Sequence, residues 1–172
     1  ETPIVRGLAS AVNFPVGRVG SDWITYEEYL VQSDAQKKYL AGEEAKSLGL
    51  AAVATPEMER AVYDQLFRNA AIEQLAQRYD FSVSSTEVDA AYDELINRAG
   101  TSTQPGEVDA YLQENFGWTQ AQFKEYIVAP ALLQNGLGQK RMTDTGKEET
   151  FEAEVTARLA EPSVKKWLKF NS

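Results

Sequence analysis

Apolar residues recur along most of the chain at helical spacing, and only two short stretches, one near each end, read as strands. The clearest helical run is Val88, Ala91, Tyr92, Leu95, Ile96 and Ala99, at i, i+3, i+4, i+7, i+8 and i+11. Ser84 and Glu87 precede it as a capping box, and Glu94 with Arg98 makes an i,i+4 pair on its outer side. Gly100 ends it, before a polar loop from Thr101 to Gly106. A broader face, Val62, Leu66, Ile72, Leu75, Ala76 and Tyr79, predicts a central, well-buried helix from Pro56 to Arg78, started by Thr55-Pro56.

Two more capping boxes mark helix starts. Thr25 with Glu28 opens a helix to about Leu40, with Tyr26, Tyr29 and Leu30 inward. Thr119 with Gln122 opens a long helix to about Met142, with Phe123, Ile127, Ala131 and Leu137 inward. Between them a short helix carries Val108, Tyr111, Leu112 and Phe116 and stops at Gly117. The stretch from Gly42 to Ala54 is ambiguous, because Gly49 weakens a helix there. Pro130 lies inside the long helix, where it forfeits a hydrogen bond and clashes with the preceding turn at a cost of about 3 kcal/mol. A kink is expected at that point, with Gly136 and Gly138 loosening the helix further.

Near the N-terminus, Val16 to Val19 and Trp23-Ile24 read as short strands around the turn Gly20-Ser21-Asp22. At the other end a polar connector precedes a helix bearing Phe151, Val155 and Leu159, which Pro162 stops. Ser163 to Phe170 then reads as a strand. A lone strand leaves its backbone groups unpaired, so its expected partners are the strands near Val16 to Ile24, within one chain or swapped between two as a homodimer. The expected fold is mainly α, with a small sheet formed by N- and C-terminal strands. Residues 1–15 form an irregular segment, 16–142 a helical domain, 143–150 the connector, and 151–172 the returning helix and strand that complete the same domain.

Composition narrows the chemistry. The 172 residues include no cysteine and no histidine, which removes thiolate, Ser-His-Asp and imidazole-metal sites. Net charge is −9, without the basic stripe that nucleic acid requires. Nine acids against two bases between residues 80 and 125 favour cationic partners there, although a solvated helix face explains the same pattern. Asp89 and Asp93 share such a face. No apolar run reaches the ~18 residues that span a bilayer, and no signal peptide is present. The chain opens at Glu1 rather than Met, which leaves room for a signal or membrane anchor ahead of it. No catalytic constellation, calcium loop or phosphate loop stands out, so neither cofactor nor metal is expected.

Four segments, in order, carry a resemblance. Phe14-Pro15-Val16-Gly17-Arg18-Val19-Gly20-Ser21-Asp22-Trp23-Ile24-Thr25-Tyr26-Glu27-Glu28-Tyr29-Leu30 resembles the opening of SurA-type chaperones and parvulin-type peptidyl-prolyl isomerases, with Val19-Gly20-Ser21-Asp22 in place of the usual Asn-Gly turn. Leu75 to Asp89 is similar to the family's junction into the next helix. Phe116-Gly117-Trp118-Thr119-Gln120-Ala121-Gln122-Phe123-Lys124, followed by Val128-Ala129-Pro130-Ala131-Leu132-Leu133, is similar to its "Y-G-W-T" and "V-x-P-x-L-L" segments. The resemblance covers residues 12–142 and implies a SurA N-terminal-like helical domain. The family's chain usually leads into a parvulin domain before returning, but here only residues 143–150 separate the two helices. Parvulin sites also lean on histidine, so no isomerase catalysis is expected.

The resemblance implies an extracytoplasmic chaperone of the holdase type, in the periplasm or at the cell surface, whose partners are unfolded or nascent secreted proteins. Tyr111, Phe116, Trp118, Tyr126 and Leu133, near Gly117 and Pro130, are the candidate client-binding residues, and an exposed apolar patch containing Trp118 or Tyr126 is expected. A core role is the competing reading for most of them, through the helical stripe for Phe116 and equally open for Trp118 in its loop between two helices. The alternative function is a non-catalytic adaptor of the cell envelope that binds one folded partner.

Overall fold

A computed structural model describes residues 14–50, 53–98, 106–147 and 149–170. In chain order the elements are β1 (Pro15–Val19), β2 (Asp22–Thr25), α1 (Tyr26–Ala41), α2 (Glu43–Ser47), α3 (Pro56–Arg78), α4 (Ser85–Arg98), α5 (Glu107–Asn115), α6 (Gln120–Phe123), a π-helical turn (Lys124–Val128), α7 (Ala129–Thr145), α8 (Glu149–Leu159) and β3 (Lys165–Lys166). The fold is mainly helical, with the small terminal sheet that the sequence predicts. Two compact units divide it: residues 1–71 with 154–172, and residues 72–153.

In the first unit the antiparallel sheet has the order β2-β1-β3. Gly17 and Arg18 of β1 face Lys166 and Lys165 of β3, so the ends of one chain pair with each other. One face of the sheet, carrying Val16, Val19 and Ile24, packs on Tyr26 and Tyr29 of α1 and on Tyr63, Leu66, Phe67 and Ala71 of α3. Val164, Leu168 and Phe170 seal this core from the C-terminal side. The Thr25 capping box is present: the Thr25 amide donates to Glu28 at 2.6 Å, and the Glu28 amide donates to Thr25 Oγ1 at 3.2 Å.

The C-terminal strand is shorter than the Ser163–Phe170 reading. Only Lys165 and Lys166 are strand. The Trp167 amide still reaches the Val16 carbonyl of β1 at 3.0 Å and shares its hydrogen with Tyr63 Oη at 3.0 Å, whereas the Leu168 amide goes to Tyr63 Oη at 3.3 Å. A side-chain hydroxyl thus takes over from the ladder at Leu168. Tyr63 and Phe67 are also the most enclosed aromatic residues of α3, although the sequence stripe passed through Val62 and Leu66. The ambiguous stretch after Gly42 contains the single helical turn α2.

In the second unit, α4 keeps the predicted capping box at Ser84 and Glu87 and the 2.5 Å pair of Arg98 with Glu94. Its apolar face is less enclosed than its period implies. Tyr92 is buried, but Leu95 is 47% exposed. Ala99, Gly100 and Thr101–Pro105 lie outside the described residues.

Pro130 is accommodated by a change of helix type. In α geometry its missing N–H would leave the Tyr126 carbonyl without a donor. The chain instead widens into the π-helical turn just before it, where the Ala129 amide reaches back to the Lys124 carbonyl. The extra residue in that turn rotates the inward register. Val128 is buried, whereas Ile127 is 43% exposed and Ala131 is exposed, contrary to the sequence expectation for both. Leu137 is fully buried as expected, and Phe123 meets Tyr92 edge-on at 6.2 Å.

α7 runs unbroken through Gly136 and Gly138. A Cβ on Gly136 would fall 2.4 Å from Phe81 Cζ, and one on Gly138 would touch Phe151 at 3.6 Å. The glycines let aromatic rings approach the helix backbone. The helix continues past Met142 to Thr145, which shortens the predicted connector.

Candidate functional site

The five candidate residues all lie in the second unit. Tyr111 stands on α5, which ends at Asn115. Gly117 then takes a left-handed φ of +73°, which L-residues with a Cβ resist. The chain folds back on α5, with the Gly117 amide donating to the Gln113 carbonyl at 3.1 Å and the Trp118 amide to the Leu112 carbonyl at 3.3 Å. Thr119 then starts α6 with its capping box, Gln122 donating its amide to Thr119 Oγ1 at 3.2 Å. The π-helical turn that follows brings Tyr126 round to Trp118.

Four of the five rings and chains form a continuous row. Tyr111 meets Phe116 at 6.2 Å, Phe116 stacks on Trp118 at 5.8 Å, and Trp118 meets Tyr126 at 5.7 Å. Leu133, on α7, is half-buried and is not a member of this row. The expected exposure of Trp118 is corrected. It is only 6% exposed, because the left-handed turn at Gly117 ties its backbone to α5 and tucks the indole between Phe116 and Tyr126. The accessible part of the row is Tyr111, 45% exposed, with Phe116 and Tyr126 half-buried. Trp118 is the enclosed member of the row, and lines an open hollow with Asp109, Gln113 and Gln120.

The electrostatic setting is acidic. This unit holds fourteen acidic and six basic residues, against twelve and eleven in the other. Lys124 bonds Asp89 at 2.7 Å while lying 4.6 Å from the centre of the Tyr92 ring. Burial pushes the Tyr92 phenol above its ordinary value, and the charge of Asp109 adds to this while Lys124 opposes it. Among the described residues no cluster of acids could hold a metal ion. The arrangement offers aromatic contact within an anionic field.

Sequence reasoning missed a second aromatic surface. Trp23 and Trp167, in the other unit, are 55% and 46% exposed with ring centroids 5.9 Å apart. The signal was faint: Trp23 stands next to buried Ile24 in a strand, where alternation alone puts it on the outer face.

Residues 5–137 match the family model described as a SurA-like N-terminal domain, and the chain belongs to that family. The matched domain is the non-catalytic part of its family, a chaperone-type or isomerase-associated module. Comparison with curated proteins and with solved structures finds no match. No described helix is long and apolar enough to cross a membrane.

Proposed function

We propose that this protein is an extracytoplasmic holdase: it shields apolar segments of unfolded or newly translocated polypeptides without catalysing proline isomerisation. The observation that carries the reading is the aromatic row from Tyr111 to Tyr126, open at Tyr111, in a domain of the SurA-like family. Aromatic rings offer large contact area with few rotatable bonds, which suits weak binding of unrelated segments. Ile127, 43% exposed, adds apolar surface one residue after Tyr126. The acidic surroundings keep such a surface soluble and favour clients with flanking Lys or Arg. Leu133, half-buried on α7, carries no part of the proposal.

A panel of unrelated unstructured peptides tests this reading. The expected result is weak binding to many apolar peptides, stronger for those with basic flanks, and no acceleration of proline isomerisation. Tight binding to a single sequence would favour an adaptor, and isomerisation above background would overturn the non-catalytic assignment.

A further inference from the structure

The outer face of the terminal sheet carries an arrangement that fold stability does not explain. Arg18 on β1 stands directly opposite Trp23 on β2 and Lys165 on β3, so indole, guanidinium and ammonium form one row across the three strands. The Arg18 guanidinium lies 5.9 Å from the centre of the Trp23 ring. Trp167, two residues beyond Lys165, closes the face with its ring 5.9 Å from Trp23. Asp22 and Ile24 fall on the opposite face by strand alternation. Lys166 also points away, bonding Asp64 at 2.5 Å and lying 4.8 Å from the Phe67 ring centre.

Like charges directly opposite on adjacent strands destabilise a sheet. Arg18 and Lys165 are such a pair, and neither has a carboxylate partner among the described residues. Two large indoles exposed beside them add a further solvation cost. Both costs are relieved by one kind of occupant, an anion attached to an apolar group. Residues 163–172 contain three lysines and no acid, so the local field is positive in a chain of net charge −9.

We propose that this face binds an extended polypeptide segment in which a carboxylate side chain lies next to an aromatic or aliphatic one. The carboxylate bridges Arg18 and Lys165, and the apolar neighbour packs on Trp23 and Trp167. The row crosses all three strands, so the segment lies over the sheet face from β3 to β2. A planar anionic bilayer fits less well, because it meets the field of the whole net-negative chain, whereas a short segment meets the local cations alone. The inference builds on the holdase reading and gives the protein a second client surface, selective for acidic rather than basic segments.

The experiment is a tryptophan-fluorescence titration of the full chain with a short unstructured peptide of Glu, Phe and Gly, with its Lys counterpart, and with phosphatidylglycerol vesicles. The acidic peptide is expected to perturb the exposed tryptophans and the vesicles are not. Arg18→Gln with Lys165→Gln is expected to weaken the acidic peptide roughly fivefold, without lowering the melting temperature, since it relieves the opposed charges. Arg18→Glu with Lys165→Glu is expected to shift preference at this face to the Lys peptide. Tyr111→Ser is expected to weaken mainly the Lys peptide and the double Gln variant mainly the acidic one, so failure of the aromatic row and failure of this face are read separately. Acidic-peptide binding indifferent to the double Gln variant overturns the proposal. Vesicle binding that depends on Arg18 and Lys165, with no peptide binding, overturns it in favour of a bilayer.

Discussion

Phe81 lies so close to Gly136 that any side chain on that glycine would meet its ring: a built Cβ falls 2.4 Å from Cζ. The segment joining α3 to α4 is thereby locked onto α7. A glycine inside a helix costs about 1 kcal/mol relative to alanine, so its presence there needs this compensation.

The lock gives a prediction whose sign depends on the partner. Gly136→Ala is expected to destabilise the protein by about 1 kcal/mol, overpacking against Phe81 outweighing the gain in helix propensity. In a Phe81→Leu background the same substitution is expected to stabilise. Denaturant unfolding of the four proteins checks both signs, and a Gly136→Ala that stabilises the parent protein would show the contact to be absent.

Tyr63 holds the C-terminal segment to β1. Its hydroxyl donates to the Val16 carbonyl at 2.5 Å and accepts from the Trp167 and Leu168 amides. Burial pushes this phenol above its ordinary value despite the two amide donors, so it stays protonated and able to donate well into alkaline solution. Tyr63→Phe keeps the ring contacts with Phe67 and Phe170 and leaves the Trp167 amide on the Val16 carbonyl at 3.0 Å, but takes the partner from the Leu168 amide. A loss of about 1–3 kcal/mol is expected, with faster hydrogen exchange at Leu168. Unchanged exchange at Leu168 would show that Tyr63 does not hold this segment.

Acid is expected to loosen the start of α4. Hydrogen bonds from the Ser84 amide and hydroxyl hold the Glu87 carboxyl below its ordinary value of 4.5. A carboxylate whose folded value is lowered contributes stability above its unfolded value and loses it as pH falls through the folded one. Glu87→Gln should therefore differ most from the parent protein near neutrality, and the difference should shrink as the solution is acidified below 4.5. A pH-independent difference between the two unfolding curves would contradict this.

The helices were legible where local chemistry fixes them. The capping boxes at Thr25, Ser84 and Thr119 and the Thr55-Pro56 start each mark a helix in the structure, because a cap is satisfied within its own turn. The closure of the terminal sheet was legible from backbone accounting alone. Ile127 and Ala131 were misplaced because periodicity assumes a constant helical pitch, and the π-helical turn before Pro130 breaks it. Trp118 stayed open between core and surface because its burial depends on how Gly117 folds the chain back, which spacing does not record. Arg18 and Lys165 were invisible as a pair, since their opposition exists only once the strand register is set.

The central claim is that the row ending at Tyr111 captures unfolded chains while Trp118 supports it from beneath. The most direct test is suppression of aggregation of a denatured client diluted into buffer, measured for Tyr111→Ser and Trp118→Ala beside the parent protein, with a melting curve for each. Trp118→Ala is expected to lose about 3–5 kcal/mol of stability. Tyr111→Ser is expected to melt like the parent and yet to lose at least about half of the suppression, since an exposed ring contributes contact area rather than core. Full suppression by a normally melting Tyr111→Ser protein would contradict the account.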